Sequence, residues 1–354
     1  MSESDVSHIY SHTSLSTCRG TSYIQESTMF TNIYLAPMEG ITTYIFRNAL
    51  AKYYGGIDKY YTPFLTASHL KGRELRDVHP DNNQGIDLVP QILTNDSELF
   101  LQISEQLIAL GYKEININLG CPSGTVVSKG RGSGFLNYPE KLDIFLDEVL
   151  NGLNKLGSDI HLSVKTRIGY EFLSEWDDIL EVYRKYPLSE LIIHPRLRNE
   201  FYTGRIHMDE FLKAGKCISK ETELVYNGDI VDINSYNEKL SSLKDAGLES
   251  RNRIPVMIGR GVIENPELPQ ILKPARETEV SGPDIKTLKS FLNEITENYV
   301  GEMSNDRQVV MKMKELWTYL SLGLNLDKKL LREIHKTNKL PEYKSVQQMI
   351  LSGL

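Results

Sequence analysis

Between residues 33 and 259 the chain alternates short apolar runs with longer amphipathic stretches. The runs at 33–37, 58–63, 88–93, 114–119, 160–166, 190–194, 222–226 and 255–259 predict strands, being short, rich in β-branched and aromatic residues and bounded by turn formers. Stretches such as 96–110, 139–155 and 207–219 carry the helical period between them. Strand and helix in regular succession predict an α/β fold, a closed parallel (β/α)8 TIM barrel. Thr94-Asn95-Asp96-Ser97 offers capping side chains for the helix at 96–110, and Gly111 ends it. After Pro274 and the Ser281-Gly282-Pro283 break the pattern is helical only, and 284–301, 304–323, 326–337 and 341–352 predict a small C-terminal bundle. The first thirty residues, rich in Ser, Thr and Tyr, show no sustained period. The expected organisation is a tail at 1–30 without assigned chemistry, a barrel at 31–276 and a helical domain at 281–354.

Length fits this division, since 354 residues exceed one barrel of about 250 by enough for a second, smaller domain. Cys18, Cys121 and Cys217 are too few and too scattered for a disulfide framework or a zinc site, so a reducing cytoplasm and no metal are expected. With no run of eighteen apolar residues and no charged-then-apolar start, a membrane span or export signal is not expected. No obligate protein partner is evident and a monomer is expected. A formal charge of −7 argues mildly against a nucleic-acid partner, yet from Arg307 onward nine basic residues, among them Lys312 and Lys314, face four acidic ones. That excess reads either as a solvated helical surface or as a polyanion-binding face.

Chemistry concentrates where strands end. Residues 114–122, Glu-Ile-Asn-Ile-Asn-Leu-Gly-Cys-Pro, put Cys121 on a Gly/Pro-bounded loop beyond a strand. A lone cysteine is more often a small buried hydrophobe. Here alternation puts Asn116 and Asn118 on one face and Ile115 and Ile117 on the other, and polar side chains pointing into a barrel need partners that a ligand can supply. The first run ends in Ala36-Pro37-Met38-Glu39-Gly40-Ile41-Thr42, small enough for backbone to approach a flat ligand. Gln91 offers a donor and an acceptor together. Lys165 and Arg167 share a strand face and bring two cations to the barrel mouth, where an anionic ligand is the usual remedy. Then come His194-Pro195-Arg196 with Arg198 and Tyr202-Thr203-Gly204, then Asn227-Gly228-Asp229, and then Gly259-Arg260-Gly261. His194 alone is more commonly a hydrogen-bonded structural histidine, and each tripeptide alone is a common turn. In this order, the glycines after the last two strands suit the phosphate site that barrels build there.

These residues resemble the tRNA-dihydrouridine synthases. The matching stretches are APMEGIT at 36–42, QILT at 91–94, NLGCPSGTVVSKGRGSGFL at 118–136, VKTRIG at 164–169, HPR at 194–196, YTG at 202–204, NGDI at 227–230, IGRGVIENP at 258–266 and KMKELWTYL at 312–320. The resemblance implies an FMN-dependent oxidoreductase that reduces the C5=C6 bond of uridines in tRNA, with NADPH or NADH as reductant. It implies that Pro37 and Met38 line the flavin, Gln91 bonds its pyrimidine part and Lys165 sits at its N1/O2 edge. His194, the Asn227, Gly228 and Asp229 backbone, Gly259 and Arg260 would hold its phosphate. Cys121 matches the proton donor, and Asn118 and Arg167 match residues that orient the uracil. Arg196 is carried over with the substrate residues. Pro195 departs from the family's common glycine, which removes an N–H at that contact. A thiol near pKa 8.5 suits proton delivery to C5 while a hydride reaches C6. Lys129 and Arg131, beside Gly130 and Gly132 on the Cys121 loop, would clasp RNA phosphate as the uridine leaves its stack, or merely keep the loop soluble. The rival readings are an FMN barrel enzyme acting on a free pyrimidine or other small substrate, and a non-catalytic RNA-binding protein.

Overall fold

The computed structural model describes residues 32–273 and 284–354, apart from 158, 247, 252 and 253. The N-terminal tail with Cys18, the Ser281-Gly282-Pro283 break and the boundary between 276 and 281 lie outside the described residues. Nine parallel strands form the sheet: β1 Ile33–Leu35, β2 Lys59–Tyr61, β3 Leu88–Val89, β4 Gln91–Ile92, β5 Glu114–Leu119, β6 His161–Arg167, β7 Glu190–His194, β8 Glu223–Tyr226 and β9 Val256–Ile258. Their order is β3-β2-β1-β9-β8-β7-β6-β5-β4. The run expected at 88–93 is cut in two by Pro90, which has no N–H for a ladder but accepts from the Asn116 amide at 2.9 Å. Since β3 and β4 are consecutive pieces of that run, its two halves pair with β2 and β5 and bring the ends of the sheet together. The eight-stranded barrel expected from the pattern is therefore present, with one strand broken.

Inside the barrel, Tyr34, Ala36, Tyr61, Val89, Ile192, Val225 and Met257 form a compact apolar plug. Charged residues opening β2, β5, β7 and β8 seal its lower end. Lys59 meets Glu114 and Glu190, Tyr61 donates to Glu190, and Tyr34 donates to Glu223 at 2.7 Å. That leaves the carboxyl ends of the strands as the open, chemically variable face.

Beyond the barrel come the helices Ile285–Glu302, Asp306–Gly323, Lys328–Lys336 and Leu340–Ser352. The side chains of Asp284, Asn305 and Asp327 accept amides at the first three starts, which is why these helices begin where they do. The bundle is docked on the barrel. Phe291 packs edge-on against Phe46, Tyr53 and Tyr54 with ring centres 5.7, 6.4 and 5.4 Å away. One continuous hydrophobic core runs from the barrel helices into the bundle. Among the described residues no helix is long and apolar enough to cross a membrane.

Candidate active site

A cavity of about 390 Å³ opens at the carboxyl ends of the strands. Its wall takes Pro37 and Met38 from the β1 loop, Asn118 and Cys121 from β5 and its loop, Lys165 and Arg167 from β6, and His194 from β7. Asn227, Gly228 and Asp229 follow β8, and Gly259 and Arg260 follow β9. Strand register explains the convergence, since Asn118 pairs with Lys165 and Arg167 with His194.

Cys121 sits on a loop fixed from both sides. Asn118 Oδ1 accepts the Gly120 and Cys121 amides at 3.1 and 2.9 Å, while the Cys121 carbonyl accepts from Ser133 Oγ at 2.8 Å. Gly132 (φ +56°) must be glycine, because a Cβ there would lie 2.8 Å from the Cys121 carbonyl oxygen. Asn118 is held in turn. Its Nδ2 donates to Gln91 Oε1 at 2.7 Å, Gln91 Nε2 to Asn116 Oδ1 at 2.8 Å, and Asn116 Nδ2 to Ser163 Oγ at 2.9 Å. This amide ladder crosses β4, β5 and β6 beneath the cavity. Burial pushes the Cys121 thiol above its ordinary pKa, and the Ser123 amide, Lys165 and Arg167 only partly oppose it. The thiol is therefore protonated at neutral pH.

The cations differ in how they are used. Burial and then Arg167 bring Lys165 down to about 8, and among the described residues no hydrogen-bond acceptor reaches its ammonium. Arg167 is spent on carbonyls of two loops, bonding Gly120 at 3.0 Å, Leu197 at 2.9 Å and Phe201 at 2.7 Å. His194 is buried, and after burial Arg167, Lys165, Arg196 and Arg260 hold its pKa well below the usual range. Facing Arg196 Nη1 at 3.3 Å, its Nε2 is assigned as the acceptor, which leaves the proton of the neutral ring on Nδ1. Asp229 pairs with Arg196 and with Arg260 Nη2 at 2.7 Å. Burial would raise its carboxyl, but the two guanidiniums prevail and hold it below the usual range.

Not every expected residue reaches the wall. Gln91 is fully buried and lies in the ladder behind Asn118, its side chain bonded to Asn116 and Asn118. Arg196 stands behind Asp229. Lys129 and Arg131 are also off the wall, on a loop tied to Asn95, whose side chain meets the Lys129 carbonyl at 3.1 Å and Arg131 Nε at 3.4 Å. Lys312, counted with the polyanion-facing cations, donates to the Gly40 carbonyl at 2.8 Å and pairs with Glu315 at 3.2 Å. It fastens the bundle to the β1 loop through a charge-assisted hydrogen bond, the stronger kind. Pro195 has no amide to donate at this position, and its carbonyl accepts the His207 amide at 2.8 Å.

The dihydrouridine synthase family model matches residues 34–352. The chain belongs to that family. A probable tRNA-dihydrouridine synthase of Staphylococcus epidermidis is 33% identical over 245 residues, covering 66% of this chain and 69% of the relative. A probable tRNA-dihydrouridine synthase 2 of Bacillus subtilis is 30% identical over 246 residues, with 66% and 69% covered. A dihydrouridine synthase is an oxidoreductase. In this one the cavity wall also includes Glu39, Tyr202, Glu315 and Tyr319, to which the sequence reading gave no role. Tyr202 stands between the Arg167 and Arg260 guanidiniums, 5.4 and 5.2 Å from its ring centre, and stacks on His194 at 6.2 Å. Glu315 and Tyr319 come from the bundle. Their part could not be read from period or spacing, because only docking brings that helix to the barrel mouth.

Proposed function

We propose that this dihydrouridine synthase is an FMN-dependent enzyme of the cytoplasm that reduces uridines in tRNA. The observation that carries the reading is one cavity whose wall holds a protonated thiol, an unpartnered ammonium, a neutral histidine and the Arg167 and Arg260 guanidiniums. FMN fits that set. An anionic phosphate suits the corner of His194, Arg260 and the Asn227–Asp229 loop, where the guanidiniums of Arg196 and Arg260 outnumber the single Asp229 carboxylate. Gly259 leaves room, since a Cβ there would already touch Ala36 at 3.3 Å and Met38 Sδ at 3.5 Å. Pro37 and Met38 line the flat part, and Lys165 offers its ammonium to the polar ring edge. A hydride for C6 of uridine is the chemistry FMN supplies when bound, with NADPH or NADH as the source of its electrons.

The protein's own part is positioning and proton delivery. Cys121 holds the proton that C5 takes up, a task for an acid that keeps its proton at neutral pH. Asn118 retains one amide N–H beyond its bond to Gln91, available to a uracil carbonyl. Arg167 acts through the loops it ties together. The 281–354 domain meets RNA through Lys328, Lys329 and Arg332, exposed on one helix, rather than through Lys312, and Lys129 and Arg131 add charge beside the thiol. Mass mapping of tRNA from cells with and without the protein tests the reading. Loss of two mass units from a dihydrouridine position on deletion is expected, and an unchanged map would remove it. Cys121→Ala should slow uridine reduction by roughly two to four orders of magnitude while flavin stays bound, and full turnover by that variant would dismiss the thiol's role.

A further inference from the structure

We propose that the loops after β6 and β7 form a stacking platform for the nucleobase next to the target uridine, with Phe201 as its centre. The proposal rests on the tRNA reading above. Phe201 lines the cavity yet is 45% exposed. Its φ of +50° lies in the left-handed region, where bulky side chains rarely sit. Arg167 holds it there through the bond to its carbonyl, so a buried cation maintains a strained residue whose ring faces outward. Arg198 extends the surface. Its guanidinium lies 5.1 Å from the Tyr170 ring centre and 5.8 Å from that of Phe201, its amide bonds the Gly169 carbonyl at 3.0 Å, and its buried Nε has no partner. On the β6 loop Phe172 is 62% exposed as well.

Interleaved aromatic rings and guanidiniums at the mouth of a base-sized cavity match the chemistry of unstacked nucleotides. When a uridine is drawn out of its stack, its neighbour loses a partner for one face. Phe201 sits where that face is exposed and replaces the lost contact, while the Arg198 guanidinium flanks its ring. Every base has a π face, so the platform tolerates any neighbour. It sets affinity without setting sequence.

The test compares Phe201→Gly with Phe201→Trp in the full-length protein. Glycine deletes the ring and also relieves the strained φ, so the parent backbone path stays accessible to the loop. Binding to a tRNA transcript is read by fluorescence anisotropy at several salt concentrations, beside kcat and KM. Phe201→Gly should weaken binding and raise KM about tenfold, the order expected for one base stack, with the salt slope unchanged because no phosphate contact is lost. Phe201→Trp should bind like the parent. Equal defects in both variants, or a glycine variant that binds normally, would overturn the platform. So would a dimeric parent that becomes monomeric on Phe201→Gly, which would give the rim to a second copy. A parent that makes no dihydrouridine at all refutes the functional reading instead, whatever the variants do.

Discussion

Cys121 keeps its proton because its surroundings are dry, and the nearby cations do not cancel that effect. A general acid works only while protonated, so under the proposed role of Cys121 uridine reduction should be level through neutral pH and fall as pH rises through the thiol's raised pKa. Single-turnover reduction of tRNA by pre-reduced enzyme measures this, and Cys121→Ser should abolish that limb since a hydroxyl does not titrate there. A limb that survives the serine change intact would exclude the thiol as its source. Lys165 predicts a different pH dependence. Its pKa of about 8 in the free site rises when an electron-rich ligand edge approaches, so binding takes up a proton above that pH. FMN affinity of the apoprotein should then be full below pH 8 and decline above it. In Lys165→Met the decline should vanish, and fluorescence titration across pH would show whether it does.

At the scale of elements, β4, β5 and β6 act as one unit through the ladder from Ser163 to Asn118. Asn116→Ala would leave the Gln91 amide and the Ser163 hydroxyl without this partner in a buried layer, a cost of about 1–3 kcal/mol. More tellingly, it would free Asn118 to turn and loosen the Cys121 loop, so kcat should drop while the KM for tRNA stays put. Equal losses in both would mean only general destabilisation. The ladder also marks how far the sequence could be read. Alternation announced Asn116 and Asn118 on one face of their strand and Lys165 with Arg167 on one face of theirs, because a strand's period of two leaves no freedom. It could not announce that Gln91 would turn to Asn116 and Asn118, since a side-chain amide has several partners to choose from once three strands meet. Pro90 was visible in the run at 88–93, but its effect, two short strands in place of one, depends on which neighbour would have needed its N–H.

For the whole molecule, the question is what the bundle does to the barrel. Its Asp306–Gly323 helix sends Glu315 and Tyr319 into the cavity wall and anchors Lys312 on Gly40, the residue beyond the Pro37–Glu39 turn. At its end the helix runs so close to the barrel that a Cβ on Gly323 would come within 2.0 Å of the Glu264 carbonyl oxygen. That obstacle is backbone, which cannot swing aside as a flexible side chain would. Gly323→Val should therefore push the helix off its seat at a cost of about 1–3 kcal/mol or more. Because barrel and bundle share one core, the loss should appear as a lower temperature for a single cooperative transition rather than as separate melting of the bundle. Because Tyr319 lies four residues upstream on the same helix, the proposed FMN site should feel the change too, with weaker FMN retention. Calorimetry with flavin absorbance on the same sample would decide, and a valine variant that melts like the parent would show that the two domains touch without depending on each other.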